Sequence, residues 1–341
     1  MTDPPTRFGL RGHTVAFKAD PFEVDPDAAI DANADGIVVV EAGRIVDCGP
    51  ASAMLGRYPG LAVENYGSSL VMAGFVDAHV HYSQTGIIAS YGAQLIEWLN
   101  TYTFPAEIAF SDPALARATA GFFIDECLRN GVTTASVYCT VHPVSVEAFF
   151  AAAAARGLRM VAGKVMMDRN APAALLDTAR SGYDESAALI GRWHGKGRLA
   201  YAITPRFAPT SSPEQLEAAG ALWRANPSCL LQTHMSESRD EIAWVKRLFP
   251  AARDYLDVYE INGLVGPGAN IGHAIHLEPR ERRRLAETGT GISHCPTSNT
   301  FIGSGLFDLA GLRSGVSPVP VGLGTDVGGG SSFSMFATMK A

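Results

Sequence analysis

From Leu70 onward, short apolar runs alternate with longer stretches in which apolar residues recur every three or four positions. Runs of the first kind predict strands, and stretches of the second kind predict amphipathic helices packed on a sheet. Strands are predicted over 70–80, 133–139, 159–167, 199–204, 230–233, 270–274, 290–293 and 319–323. Helices fall between most of them, over 113–129, 145–156, 185–194, 213–224, 240–248 and 279–287. Regular strand–helix alternation is the pattern of a parallel sheet with helical crossovers, and eight strands suggest a (β/α)8 TIM barrel, an α/β fold. Its catalytic groups are expected at the C-terminal strand ends. Residues 1–70 read differently, with short β-like runs at 13–17, 36–40 and 44–46 and a hairpin turn at Gly43. They predict a small, incomplete, sandwich-like β-region, so the expected division is 1–70 and 71–341.

The chain has 341 residues and 47% hydrophobic content, enough to bury a large core. A formal charge of −7 lacks the basic face that a nucleic-acid binder needs. No apolar run approaches the roughly 18 residues of a membrane span, and Met1–Gly12 lacks the apolar core of a signal peptide. A cytoplasmic protein without nucleic-acid or membrane partners is expected. The five cysteines are scattered and never form a C-x-x-C pair, which indicates neither a disulfide framework nor a cysteine zinc site.

Four predicted strand ends carry chemistry. The first runs into Asp77-Ala78-His79-Val80-His81. In a strand, residues i and i+2 project from one face, so His79 and His81 would present two imidazoles together. His-x-His alone is a weak motif, and its weight comes from the other three ends. Leu230–Thr233 runs into His234, and Glu237 three residues later can reach the same strand mouth as a general acid/base. Asn270–Gly272 runs into His273, which should face the barrel mouth, whereas His276 is expected on the loop before the next helix. Val321–Leu323 leads to Asp326 and three glycines. No Gly-Lys-Ser/Thr follows, so this is not a phosphate loop. His79, His81, His234 and Asp326 together make a nitrogen-and-oxygen donor set suited to zinc, with iron the usual competitor.

The chain resembles the amidohydrolase superfamily, and within it the guanine deaminases. The resemblance rests on the residues above and on GAQLIEWLNTYTFPAE (Gly92–Glu107), AITPRFAPTSS (Ala202–Ser212), THMSE (Thr233–Glu237), SHCPTSN (Ser293–Asn299) and LGTDVGGGSSFSM (Leu323–Met335). It implies hydrolysis of guanine to xanthine and ammonia at one metal ion held by His79, His81, His234 and Asp326. It assigns catalysis to Glu237, His273 and Asp326. It brings Gln84, Arg206 and Phe207 against the purine, with His81, His234, Glu237 and Asp326 also facing it. An arginine and a side-chain amide suit the carbonyl and ring-nitrogen edge of guanine, and an aromatic face can stack on it. Trp98, Tyr102 and Phe104 form either a lid on the purine or packing for an oligomer surface, and a homodimer is the expected assembly. Metal-bridged binuclear relatives carry a modified lysine on strand four, and Leu199–Arg206 contains none. The H-x-E and P-C-x-x-C signature of the other zinc-deaminase architecture is absent.

The chain stops 15 residues after Asp326, and Ser334–Ala341 reads as the start of a helix. Relatives continue into a full last helix and return strands, so a truncated C-terminal part is the expectation.

Overall fold

Alternating residues near the N-terminus fold into a four-stranded sheet. In this computed structural model, which describes residues 6–91, 94–314 and 317–341, the chain divides into two units, Met1–Gly74 and Phe75–Ala341. The first unit holds β1 (Arg7–Phe17), β2 (Ile30–Glu41), β3 (Arg44–Pro50) and β4 (Ala62–Met72), in the order β3-β2-β1-β4. β1 runs antiparallel to β2 and parallel to β4. Ala42 and Gly43 join β2 to β3 with φ of 48° and 74°, the left-handed pair that a tight two-residue hairpin requires. Ile37, Val39, Ala51 and Met54 form a small core between this sheet and helix Ala51–Arg57.

The apolar run 70–80 is not one strand. β4 ends at Met72 and pairs with β1, whereas β5 (Phe75–His81) starts after Gly74 and pairs with a different strand. Hydropathy cannot see this break, because both halves are apolar and the change of partner is tertiary.

The second unit continues with β6 (Val132–Tyr138), β7 (Arg159–Gly163), β8 (Val165–Met166), β9 (Ala200–Pro205), β10 (Leu230–Met235), β11 (Ala269–His273), β12 (Gly291–His294) and β13 (Val321–Leu323). All pairings are parallel, in the order β13-β12-β11-β10-β9-β7-β6-β5, with β8 pairing β9. The run predicted over 159–167 is thus split at Lys164 into β7 and β8. Asp77 links the outermost strands, since its Oδ1 accepts the Thr325 N–H at 2.9 Å and Oδ2 accepts the Thr325 hydroxyl. The Asp326 N–H donates to the His79 carbonyl at 2.9 Å, which ties β5 to the segment after β13. The result is the nearly closed (β/α)8 barrel that the alternation predicts.

Helices cover the barrel close to the predicted ranges, except that the helix predicted over 185–194 starts six residues earlier, as Ala179–Trp193. Helix Pro113–Arg129 starts at Asp112, whose side chain accepts the Ala114 N–H, and helix Arg239–Leu248 starts with a reciprocal Ser238–Glu241 capping box. Phe123, Phe149 and Phe150, from helices Pro113–Arg129 and Pro143–Ala155, are fully buried in the main core. After β13, Ser334 caps helix Met335–Lys340. Among the described residues no helix is long and apolar enough to cross a membrane.

Candidate active site

His79 and His81, at the end of β5, are buried, and His234 on β10 meets them. His234 Nδ1 lies 2.7 Å from the Arg206 carbonyl oxygen. A carbonyl can only accept, so Nδ1 carries the proton and Nε2 presents a lone pair. That Nε2 stands 3.2 Å from His81 Nε2. His79 Nε2 has no hydrogen-bond partner although it is buried, and it lies 3.5 Å from Asp326 Oδ1; His81 Nε2 lies 3.6 Å from the same oxygen. An orphaned buried nitrogen is costly unless something coordinates it. Burial holds the His79, His81 and His234 imidazoles well below their ordinary pKa, and charge on neighbouring imidazoles pushes them further down. They are therefore neutral, the state in which an imidazole can coordinate a metal. His79, His81 and His234 offer nitrogens within 4.8 Å of one another, as do His79, His273 and Asp326 with nitrogens and an oxygen. This neutral-nitrogen and carboxylate set fits a divalent metal.

Backbone geometry at the strand ends serves this convergence. A Cβ on Gly272 would lie 2.6 Å from His79 Cε1, so β11 can pass the imidazole only with glycine there. Ser236, His273 and Asp326 hold φ of 51°, 66° and 49°, a region that L-residues enter at some cost and that clusters at functional sites.

A proton-handling group stands beside the imidazoles. His273 Nδ1 donates to Asn299 Oδ1 at 2.9 Å, which leaves Nε2 3.4 Å from Glu237 Oε2 and 3.8 Å from Asp326 Oδ2. Ser304 Oγ donates to Glu237 Oε1 at 3.1 Å. Burial raises Glu237 to about 7, against opposing pulls from the Ser304 hydroxyl and Arg206. Burial likewise raises Asp326 to about 7, with His273 pulling down and Glu237 pushing up. Carboxyls poised near neutrality suit proton transfer. Glu241 Oε2 accepts the N–H groups of Glu237 at 2.8 Å and Ser238 at 3.2 Å, which fixes the backbone that carries Glu237. His276 lies on the loop, as expected, where its Nε2 donates to the Ser304 carbonyl at 2.8 Å.

Above the cluster lies a pocket. His81, His234, Glu237, His273 and Asp326 line its base, Gln84, Arg206 and Phe207 its polar and aromatic flank, and Leu95, Trp98, Leu99 and Ile302 its apolar walls. Every predicted site residue is therefore brought together, and all but His79 line the pocket; His79 joins them through the imidazole–carboxylate cluster. Trp98 is buried in the pocket wall, and Phe104 packs its ring 5.6 Å from the Arg206 guanidinium; Tyr102 is half-buried. Gly92 and Ala93, which open the motif ending at Glu107, lie outside the described residues. The glycines after Asp326 make room for side chains, since a Cβ on Gly328 would lie 2.2 Å from Gln84 Oε1. β9 has no lysine, and the buried Lys164 between β7 and β8 is committed to Asp177 at 2.5 Å and Glu185 at 3.3 Å.

Sequence reasoning missed Asn299, Ser304, Glu241 and Glu107. The last is fully buried and paired with Arg206. Asn299 and Glu107 lie inside motifs that carry the resemblance, but their partners stand 26 and 99 residues away, and no periodicity connects them.

A parallel barrel with imidazoles and carboxylates gathered at its C-terminal strand ends is the arrangement of metal-dependent barrel hydrolases. The chain belongs to one family of that class, the amidohydrolase family, which matches residues 70–341. It is 49% identical over 307 residues to the guanine deaminase of Escherichia coli K12, an alignment covering 90% of this chain and 70% of that one. The crystal structure of guanine deaminase from Bradyrhizobium japonicum superposes with a TM-score of 0.96 at 39% identity, over 98% of this chain and 73% of that one. Guanine deaminase from C. acetobutylicum, solved with guanine in its active site, superposes with a TM-score of 0.88 at 28% identity, covering 98% and 78%.

Proposed function

We infer that the chain hydrolyses guanine to xanthine and ammonia at one divalent metal ion, zinc, held by His79, His81, His234 and Asp326. The observation that carries this reading is the convergence of neutral His79, His81 and His234 on Asp326, with Glu237 and His273 alongside and Arg206, Gln84 and Phe207 facing the same pocket. Support also comes from the guanine deaminases that match most of the chain.

A divalent ion bound there would lower the pKa of a water from 15.7 to as low as about 7 and so supply a nucleophile at neutral pH. The residues do the rest. Phe207 stacks on the purine face, and Arg206 and Gln84 hydrogen-bond its carbonyl and ring-nitrogen edge, which turns the amino-bearing carbon toward the base of the pocket. Glu237, ionised at the start, accepts the proton lost by the attacking water with the help of Asp326. Glu237 protonates the ring nitrogen next to the attacked carbon, and the carbon becomes tetrahedral. Because His273 Nδ1 is committed to Asn299, its Nε2 can exchange a proton with Glu237 or Asp326 and carry positive charge as negative charge develops. A proton delivered to the exocyclic amine makes ammonia the leaving group, and the carbonyl of xanthine forms.

The assembly expected is a homodimer, which sedimentation tests. The activity is tested by ammonia release from guanine, 8-oxoguanine, adenine and cytosine with the metal-loaded protein. Guanine should have the highest kcat/KM, and faster turnover of any of the others overturns the substrate assignment.

A further inference from the structure

Glu107 is fully buried and nothing in the reaction above uses it. Its two oxygens share one guanidinium nitrogen, with Arg206 Nη1 donating to Oε1 at 2.9 Å and to Oε2 at 2.6 Å. Arg206 is itself only 3% exposed, lines the pocket, and makes no other side-chain hydrogen bond among the described residues. The Phe104 ring limits the guanidinium from a further side. Nε and Nη2 are thus left for a ligand, with the plane of the fork set by Glu107. A second consequence is electrical. An unpaired buried guanidinium attracts any anion, whereas a paired one presents directional donors with little net charge.

We propose that Glu107 is a positioning and specificity residue: it holds the Arg206 fork on the purine edge and cancels its charge, so that the pocket takes neutral purines over anionic ones. The inference rests on the purine reading of the pocket. It gives a reason for the buried pair, because the substrate is neutral whereas the dioxopurine it yields, and purines with more oxo groups, lose ring protons more readily and can compete as anions.

The test uses the metal-loaded Glu107→Gln variant, which keeps shape and removes the charge. At neutral pH, guanine kinetics are measured together with inhibition by urate, an anionic purine, and hypoxanthine, a neutral one. KM for guanine should rise more than kcat falls. The preference for urate over hypoxanthine should rise about tenfold, the effect of one unit charge roughly 10 Å away at an effective dielectric of about 20. A purely structural role would lower the active fraction, and with it kcat, while KM and the inhibitor preference stay fixed; that result overturns the proposal. If the variant does not fold, Glu107→Gln/Arg206→Gln is compared with Arg206→Gln. Guanine KM values that agree within about twofold support action through Arg206, and a further multiplicative rise overturns it. Wild-type protein inert toward guanine removes the substrate assignment instead. Active wild type with an indifferent Glu107→Gln removes only the role of Glu107.

Discussion

The imidazole of His234 is held by the Arg206 carbonyl oxygen, 2.7 Å from Nδ1, so a residue that lines the pocket also sets the tautomer of a histidine in the imidazole–carboxylate cluster. Pocket and cluster are therefore joined through Arg206. Replacing His79, His81 or His234 with alanine removes a neutral nitrogen from the cluster. Metal affinity should fall by more than the about 10- to 100-fold that loss of an outer partner costs. Elemental analysis after gel filtration checks it, and a variant that keeps full occupancy excludes that histidine from the site.

Asn299 accepts the Nδ1 proton of His273 at 2.9 Å and so leaves Nε2 facing Glu237 and Asp326. Asn299→Leu removes the acceptor and frees the ring to turn or change tautomer. It should lose part of the roughly 10²- to 10⁴-fold that a placed proton carrier contributes, while metal content is unchanged. Steady-state kinetics with parallel metal analysis separates the two effects; metal loss in this variant would make Asn299 a support of the metal site instead.

Acid should inactivate the enzyme. Burial lifts Glu237 from its ordinary 4.5 to about 7, and a bound cation favours the ionised form. The acidic limb of kcat/KM thus falls between these values. Its sign follows from the role of Glu237 as proton acceptor and carrier: the carboxylate must be ionised at the start, so activity is lost as pH falls through that pKa. Glu237→Gln should lower kcat about 10²- to 10⁴-fold and remove the limb. A limb unchanged in that variant assigns it to another group.

Gly328 has φ of 119°, and a Cβ there would lie 2.2 Å from Gln84 Oε1 and 2.5 Å from Gln84 Cβ. Gly328→Ala therefore strains the backbone, at a cost of about 1–3 kcal/mol, and displaces Gln84 from the pocket. Thermal unfolding should show a lower Tm, and KM for guanine should rise with a smaller change in kcat. An unaltered KM would place Gln84 away from the substrate.

Much of this arrangement could be read from residue order, because the information was local. Most barrel strands lie on apolar runs, and three candidate ligands stand at the ends of such runs, His79 and His81 on β5 and His234 on β10. Helix Pro113–Arg129 carries its own start signal in Asp112-Pro113. What stayed hidden was set by tertiary pairing. The break between β4 and β5 depends on which strand each half meets, the split at Lys164 on β8 pairing β9, and the Glu107–Arg206 pair on a contact across 99 residues. The left-handed backbone of Asp326 and His273 was equally invisible, since neither residue type announces it as glycine does.

The central claim is that one ion at His79, His81, His234 and Asp326 makes the guanine-deaminating centre. Metal-stripped protein titrated with zinc, with xanthine formation measured at each addition, tests it most directly. The account predicts no turnover without metal and activity that rises linearly to a plateau at one equivalent per chain. Full activity in the stripped protein, or a plateau that requires two equivalents, would contradict it.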